Sequence, residues 1–566
     1  MKNKLFSKNQ PINALAVLLL ASSPLVFAAN YDALNRQQDS FSNLDPLAPD
    51  SGTTGQPGSS LESLQRAEQE SKKNAYIEVI ELLKKNNIEE SEKKISALLK
   101  QDPNESEFYN LKAMLELLKK NTTASLENYN KALKLDPQNI RSYLGASKVY
   151  IDLTEFDKAK DYANKAMAIN SKVINPYILL AEIAFKQNDS AEAEKILLSA
   201  LNIAKDNMTF EIEVIKSLAN LYGKSKETAK ILPLVEDLNS RYPNNSTALL
   251  TLAEAQIISD QKPSAQETLK KLISLDKQDV TNRILLAKLQ MEQPGKENET
   301  IALLDEAAAI DNKTAEAPAV KTAFLIKLKR FPEATASAQK IDQQFPKLNL
   351  GKLLQGDVFI AEKNYDKATE MYQKAYKQDP NTRVLFTLAD LLTKQNHQAE
   401  AIKLLNDALA KNAKELAIHF KLANIYQQNN DNKNAEAHYQ AMLAAQPDNA
   451  LALNNLAYLY AQQNNPKALE LAEKAVKKAP ESAAILDTLG AIQVKQGLAK
   501  EGLATLEKAA AIAPKANDIQ FHLAEAYVAN DDKSKAIAIL ESLGKLEQNF
   551  PEKAAAATLL GKLKGQ

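Results

Sequence analysis

The chain has 566 residues, 45% of them hydrophobic and only 14 of them glycine, which argues against a turn-rich β protein and in favour of helices. Its 71 basic residues equal its 71 acidic ones and interleave without a long single-sign block, so no basic face is on offer to nucleic acid. Cysteine is absent, which removes disulfides, thiolate metal sites, a cysteine nucleophile and any lipid carried on an N-terminal cysteine.

Residues 1–28 carry Lys2, Lys4 and Lys8, then an apolar run from Ile12 that includes AVLLLA, then SSPLVFA. This is the form of a secretory signal, with Val26 and Ala28 as the small residues ahead of a cut between Ala28 and Ala29. An uncleaved anchor is the alternative, although the run is short for a membrane span and Pro24 interrupts its end. Removing those three lysines leaves 68 basic residues against 71 acidic ones, a mature chain with a slight acidic excess. Nothing later in the sequence is apolar enough to cross a bilayer. Residues 29–60, including DPLAPDSGTTGQPGSS, are rich in Asp, Ser, Gly and Pro with no sustained apolar period, and predict a flexible tether.

After Leu61 the helical pattern hardly stops. The landmarks are plainest from Leu350 to Pro380. Gly356, Ala368 and Ala375 are small, Leu353, Phe359, Tyr365 and Tyr372 are large, and Pro380 ends the second apolar run. Small residues let two helices approach, large ones fill the space beside the contact, and proline cannot continue a helix. The stretch reads as a helical hairpin. The equivalent of Ala368 recurs as Ala401, Ala435, Ala468, Gly502 and Ala536, at intervals of 33 or 34 residues. That period means stacked supersecondary units, each burying its apolar face against its neighbours. Upstream units run from Ile77 to Pro103, Phe108 to Pro137, Tyr143 to Ile169 and Tyr177 to Leu201. A blurred middle follows, where Pro294 and Gly295 predict a turn in the unit from Arg283 to Ile310. The array is placed at residues 61–551, clearest in 106–205 and 349–545, with room for about 14 units. Residues 552–566, beginning EKAAAATLLGKLKG after Pro551, predict a capping helix and tail.

The repeated order is Leu-Ala or Leu-Gly in the first helix, Tyr three residues on, a small residue after the turn, Ala-Leu late in the second helix, then Pro. It resembles the tetratricopeptide repeat, as in SYLGASKVY with FDKAKDYANKAMAI and KLANIYQQN with NAEAHYQAMLAAQP. The resemblance implies an all-α fold, a right-handed superhelical α-solenoid. The C-terminal part, from NNLAYLYA to FPEKAAAATLLGKL, is similar to exported repeat proteins that accompany polysaccharide and protein-sorting systems, the exosortase-associated ones among them. It departs from them in its shorter array, its lack of a lipid-accepting cysteine, and Ala491 where they often carry an aromatic.

No catalytic motif stands out. His397, His419, His438 and His522 form no HExxH-like set, and no GxGxxG, GxxxxGK or GxSxG is present. After signal, tether, repeats and cap, no segment is left to supply a catalytic domain, so no enzyme, cofactor or metal is expected. The resemblance instead implies a concave groove lined by outward positions of the first helices: Asp390, Lys394, Phe420, Asn424, Gln427, Asn454, Tyr458, Asp487, Phe521 and Glu525. The basic set with which peptide grooves of this family hold a carboxylate is incomplete here. Two bland alternatives stay open. Asn454 or Asn455 simply satisfies backbone groups between neighbouring hairpins, and Phe420, Tyr458 and Phe521 belong to the core. The expected function is a non-catalytic periplasmic or secreted scaffold binding protein partners of the cell envelope, within an envelope assembly or exopolysaccharide export system. Glycan or peptidoglycan binding is the alternative.

Overall fold

The computed structural model describes residues 60–205, 207–546 and 550–565. The signal expected at 1–28 and the tether expected at 29–60 lie outside the described residues, apart from Ser60, which opens the first helix. Among the described residues there are twenty-nine α-helices and no strand, fourteen successive pairs and one final helix.

The chain divides into two compact units at Ala317 and Pro318. The first unit holds seven pairs: α1 (Ser60–Lys84) with α2 (Ile88–Gln101), α3 (Ser106–Leu118) with α4 (Thr122–Leu135), α5 (Ile140–Asp152) with α6 (Phe156–Ile169), α7 (Asn175–Lys186) with α8 (Ser190–Ala204), α9 (Met208–Ser225) with α10 (Ile231–Arg241), α11 (Ser246–Ile258) with α12 (Lys262–Leu275), and α13 (Val280–Gln290) with α14 (Glu297–Ile310). A 3₁₀ turn, Thr228–Lys230, leads into α10. Gly295, at φ 86°, sits in the turn before α14, where Pro294 and Gly295 were expected to reverse the chain.

The second unit begins with α15 (Glu316–Lys327) and α16 (Phe331–Gln344). It continues through α17 (Leu350–Ala361) with α18 (Tyr365–Gln378), α19 (Thr382–Lys394) with α20 (Gln398–Leu409), α21 (Leu416–Gln428) with α22 (Asn432–Ala445), α23 (Ala450–Gln462) with α24 (Lys467–Lys478), α25 (Ala483–Lys495) with α26 (Ala499–Ile512), and α27 (Asn517–Ala529) with α28 (Lys533–Gly544). The final helix, α29 (Lys553–Leu563), packs on α28 and buries Ala556.

The pair α17 and α18 shows why the sequence folds this way. The first helix stops when Lys363 turns left-handed at φ 62°; the amide of Asn364 then donates back to the carbonyl of Phe359 at 2.8 Å, and that of Lys363 to Ile360 at 3.0 Å. The side chain of Asn364 starts the second helix by accepting from the amide of Lys367. Such left-handed turn residues recur in most pairs, as Asn86, Lys120, Thr154 and Asn188 in the first unit and Asn396, Asn430, Asn464 and Asp531 in the second. Asn and Asp tolerate that conformation best, because a short polar side chain can bond locally.

Packing within the pair follows the small residues. A Cβ on Gly356 would stand 2.6 Å from the ring of Tyr372, so glycine is required for that ring to lie against α17. Tyr372 is 2% exposed and its hydroxyl donates to the buried Asp357, whose carboxyl burial pushes up to about 7. Ala368, Ala375, Ala401, Ala435, Ala468 and Ala536 are all fully buried. Each large side chain buried this way stabilises the stack by roughly 1.5–3 kcal/mol.

Candidate functional site

First helices of neighbouring pairs touch one another as well as their own partners. In the first unit α1 meets α3, α3 meets α5, and α5 meets α7; in the second, α23 meets α25 and α25 meets α27. Each unit therefore carries a face built from first helices. The positions singled out from the sequence all lie on first helices of the second unit.

They do not form one uniform groove. Asp390 on α19 is exposed and ion-paired with Lys421 on α21, so the pair bridges two hairpins. Lys394 ends α19 with its Nζ 4.3 Å from the centre of the ring of Tyr365, the first residue of α18 in the preceding hairpin. Phe420 is half-buried against the core between α21 and α24. Asn424 and Gln427 accept from the buried hydroxyl of Tyr439, at 3.2 and 2.6 Å, so their carbonyl oxygens serve the fold of their own hairpin. Phe521 requires a correction. It is 6% exposed, within the cluster that holds Leu486, Ile519 and Leu523, and offers no ring to a partner. The reason is geometric: adjacent helical residues point about 100° apart, and at this pair of positions it is His522 that turns toward α25.

The remaining positions converge at the C-terminal end. Asn455 bonds the backbone of its own helix and not that of a neighbouring hairpin, its amide donating to the Leu451 carbonyl at 2.7 Å. Asn454 does not; it is 8% exposed and its Oδ1 has no hydrogen-bond partner. One turn along the same face of α23 stands Tyr458, whose phenol burial pushes up to about 12, with the charge of Glu552 adding to the rise. On the next first helix Asp487 is buried, and both its oxygens contact Nδ1 of His522 on α27, at 2.8 and 2.9 Å. Burial works against a charged His522, but this carboxylate prevails and holds the imidazole protonated up to about 9. Glu525, one turn further along α27, has its carboxyl raised by surrounding protein and by the charge of Asp487, with His522 partly offsetting. Glu552, just ahead of α29, is 6% exposed with Oε2 unpartnered. Burial raises its carboxyl, and it too feels His522, Asp518 and Asp487.

Two members were not named from the sequence. His522 was placed among ordinary structural or surface histidines, yet the repeat period sets it one position past the equivalent of Asp487, which is a usable signal. Glu552 follows the last pair, where the period no longer assigns a face. Another pair lies on α21 and α22: the buried His419 and the half-buried His438 meet Nδ1 to Nδ1 at 2.9 Å, with Nε2 of His419 3.1 Å from the Ala413 carbonyl. Burial, then His419, lowers His438 to about 4. Among the described residues, no group of three or more His, Cys, Asp and Glu side chains is arranged to hold a metal ion.

Hairpins in series, first helix against first helix, define an all-α solenoid. Residues 78–140, 140–173, 174–207, 346–412, 420–486 and 493–563 match the tetratricopeptide repeat, together more than half of the chain. The chain belongs to the tetratricopeptide repeat family. It is 26% identical over 230 residues to Protein O-mannosyl-transferase TMTC3 of Homo sapiens, a match covering 39% of this chain and 24% of the relative. It is also 26% identical over 269 residues to Hsp70-Hsp90 organizing protein 1 of Glycine max, covering 47% of this chain and 40% of that one. The chain thus spans less than half the length of these curated relatives. Among solved structures, yeast Tom70 aligns over 81% of this chain and 96% of its own, with a TM-score of 0.37 and 16% identity. The Naa15/Naa10 complex bound to HypK-THB aligns over 95% and 96%, with a TM-score of 0.35 and 13% identity.

Proposed function

We propose that this protein is a non-catalytic scaffold that holds a polypeptide partner along the first-helix face of its second unit, in an envelope assembly or exopolysaccharide export system. The observation that carries the reading is the cluster of polar side chains at the C-terminal end of that face, where buried acceptors lack partners within the chain. Membership of the repeat family and the likeness to a chaperone-organizing protein support protein binding. A location beyond the inner membrane rests on the signal-like run before Ala29, and on the described residues containing no helix long and apolar enough to cross a membrane. N-terminal sequencing of the chain recovered from a periplasmic fraction should begin at Ala29; recovery of Met1 in the cytoplasm would contradict the location. Glycan binding draws less support, since stacking needs an exposed ring and Phe521 is in the core. Photo-cross-linking from the first-helix face tests the scaffold reading directly.

A further inference from the structure

The C-terminal end of the first-helix face is rich in acceptors and poor in donors. Asn454 Oδ1 and Glu552 Oε2 are both buried without partners, on side chains 8% and 6% exposed. Asp487 spends both oxygens on one imidazole nitrogen, and Glu525 adds a further carboxylate within range of the same imidazole. Three carboxylates therefore face a single cation, His522. A buried acceptor left unpaired is unfavourable, and a desolvated surplus of negative charge more so. Burial first, and then the charge of Asp487, raise the carboxyls of both Glu525 and Glu552, with His522 partly offsetting.

The residues beside them are small or apolar. Ala491 occupies on α25 the place that Tyr458 holds on α23 and Glu525 on α27, so a methyl group lies between two long side chains. Leu451, one turn before Asn454 on the same stripe of α23, is 46% exposed and gives the site an apolar edge. An anion would meet more negative charge here. A neutral acceptor would leave Asn454 and Glu552 unsatisfied. A hard metal ion would need its carboxylates gathered around one point, and among the described residues no such group occurs.

We infer that Asn454, Tyr458, Asp487, His522, Glu525 and Glu552 form a pocket that receives a cationic nitrogen group, ammonium or guanidinium, of the bound polypeptide. The inference rests on the scaffold reading and specifies what that scaffold reads. Such a group carries donors only, so it suits an orphaned acceptor while neutralising the surplus charge. The alkyl stem of a lysine or arginine would lie along Leu451 and Ala491.

The test uses the full chain and fluorescein-labelled octapeptides, acetylated and amidated, in which glycine alternates with lysine, arginine, glutamate or serine. An unacetylated serine peptide separates an α-ammonium from a side-chain one. Fluorescence anisotropy should show saturable binding for the lysine or arginine peptide and none for the acetylated serine and glutamate peptides. Glu525→Gln and Glu552→Gln should each weaken it about tenfold, the loss of a charge partner at a partly desolvated site. Glu470→Gln, on the solvent side of α24, should leave it unchanged. Glu525 stands at the open edge, so Glu525→Gln decides the matter if Glu552→Gln loses helicity. Equal binding of the acetylated serine peptide, no saturable binding of any cationic peptide, or a change below twofold in Glu525→Gln overturns the pocket. A cross-linked partner that binds parent and both variants alike removes the pocket and leaves the scaffold reading standing. Saturable cationic binding with no cross-linked partner does the reverse.

Discussion

Gly145 offers the sharpest test of how the hairpins pack. It lies in the middle of α5, and a Cβ placed there would stand 2.3 Å from Cζ, 2.4 Å from Cε1 and 2.6 Å from the hydroxyl of Tyr129 on α4. Tyr129 is fully buried, so its ring has no solvent to move into. Gly145→Ala gains about 1 kcal/mol of helix propensity. Forcing a methyl into a packed contact costs about 1–3 kcal/mol, and an approach of 2.3 Å to a fully buried ring places this one at the upper end, about 2–3 kcal/mol. The expected net loss is about 1–2 kcal/mol, roughly 5–30-fold in a local opening equilibrium. Gly223, near the end of α9, has nothing within 4 Å of its would-be Cβ, so Gly223→Ala should stabilise α9 by about 0.5–1 kcal/mol. A linear array need not unfold as one unit, so native-state hydrogen exchange of the two segments is the appropriate assay. Exchange in α4 and α5 should quicken in Gly145→Ala, and exchange in α9 should slow in Gly223→Ala. Unchanged or slower exchange in α4 and α5 would refute the contact between Gly145 and Tyr129 and the register built on it.

Two further perturbations follow from single residues. Thr154 is exposed, β-branched and held at φ 61°, so Thr154→Asn should raise the melting midpoint of the first unit, by about 1 kcal/mol in local stability; a lowered midpoint would mean its methyl makes a contact that matters. His522 rises from an ordinary 6.5 to about 9, so the stability it confers is fully present below pH 6.5 and is lost as pH climbs through about 9, a change of up to about 3 kcal/mol. Protection factors in α25 and α27, taken relative to the intrinsic exchange rate at each pH, should therefore fall across that window in the parent and lose the dependence in Asp487→Asn; parent protection flat from pH 6.5 to 9 would contradict the ion pair.

The fold was legible because the solenoid repeats its own constraints. The alanines at the 33- and 34-residue spacing are fully buried, and the glycines among the landmarks lie where a side chain would strike a neighbour, as at Gly356, Gly490 and Gly502. Periodicity averages over many copies, so blurred units cost little. The site was less legible, because it depends on single side chains. A period of about 34 residues identifies a helix face to within a residue or so, and at Phe521 and His522 that residue decides between core and groove. Asn424 and Gln427 were placed on the right helix, but their bond to Tyr439 crosses the hairpin and has no local signal. Glu552 enters from beyond the last repeat. Asn454 and Asn455 differ: the second bonds the backbone of its own helix, while the first keeps an oxygen without a partner.

A scaffold of this kind requires that a partner sit on the first-helix face of the second unit. A photo-reactive phenylalanine analogue placed singly at Asp390, Leu451 or Glu525 samples that face, while the same analogue at Lys403 or Lys474 samples exposed positions on second helices. Irradiation of cells making the full chain, followed by mass spectrometry of the adducts, should return one polypeptide from the three first-helix positions and little from the two controls. Equal recovery from both sets, or none from the first-helix positions, would contradict the claim that this face holds a partner.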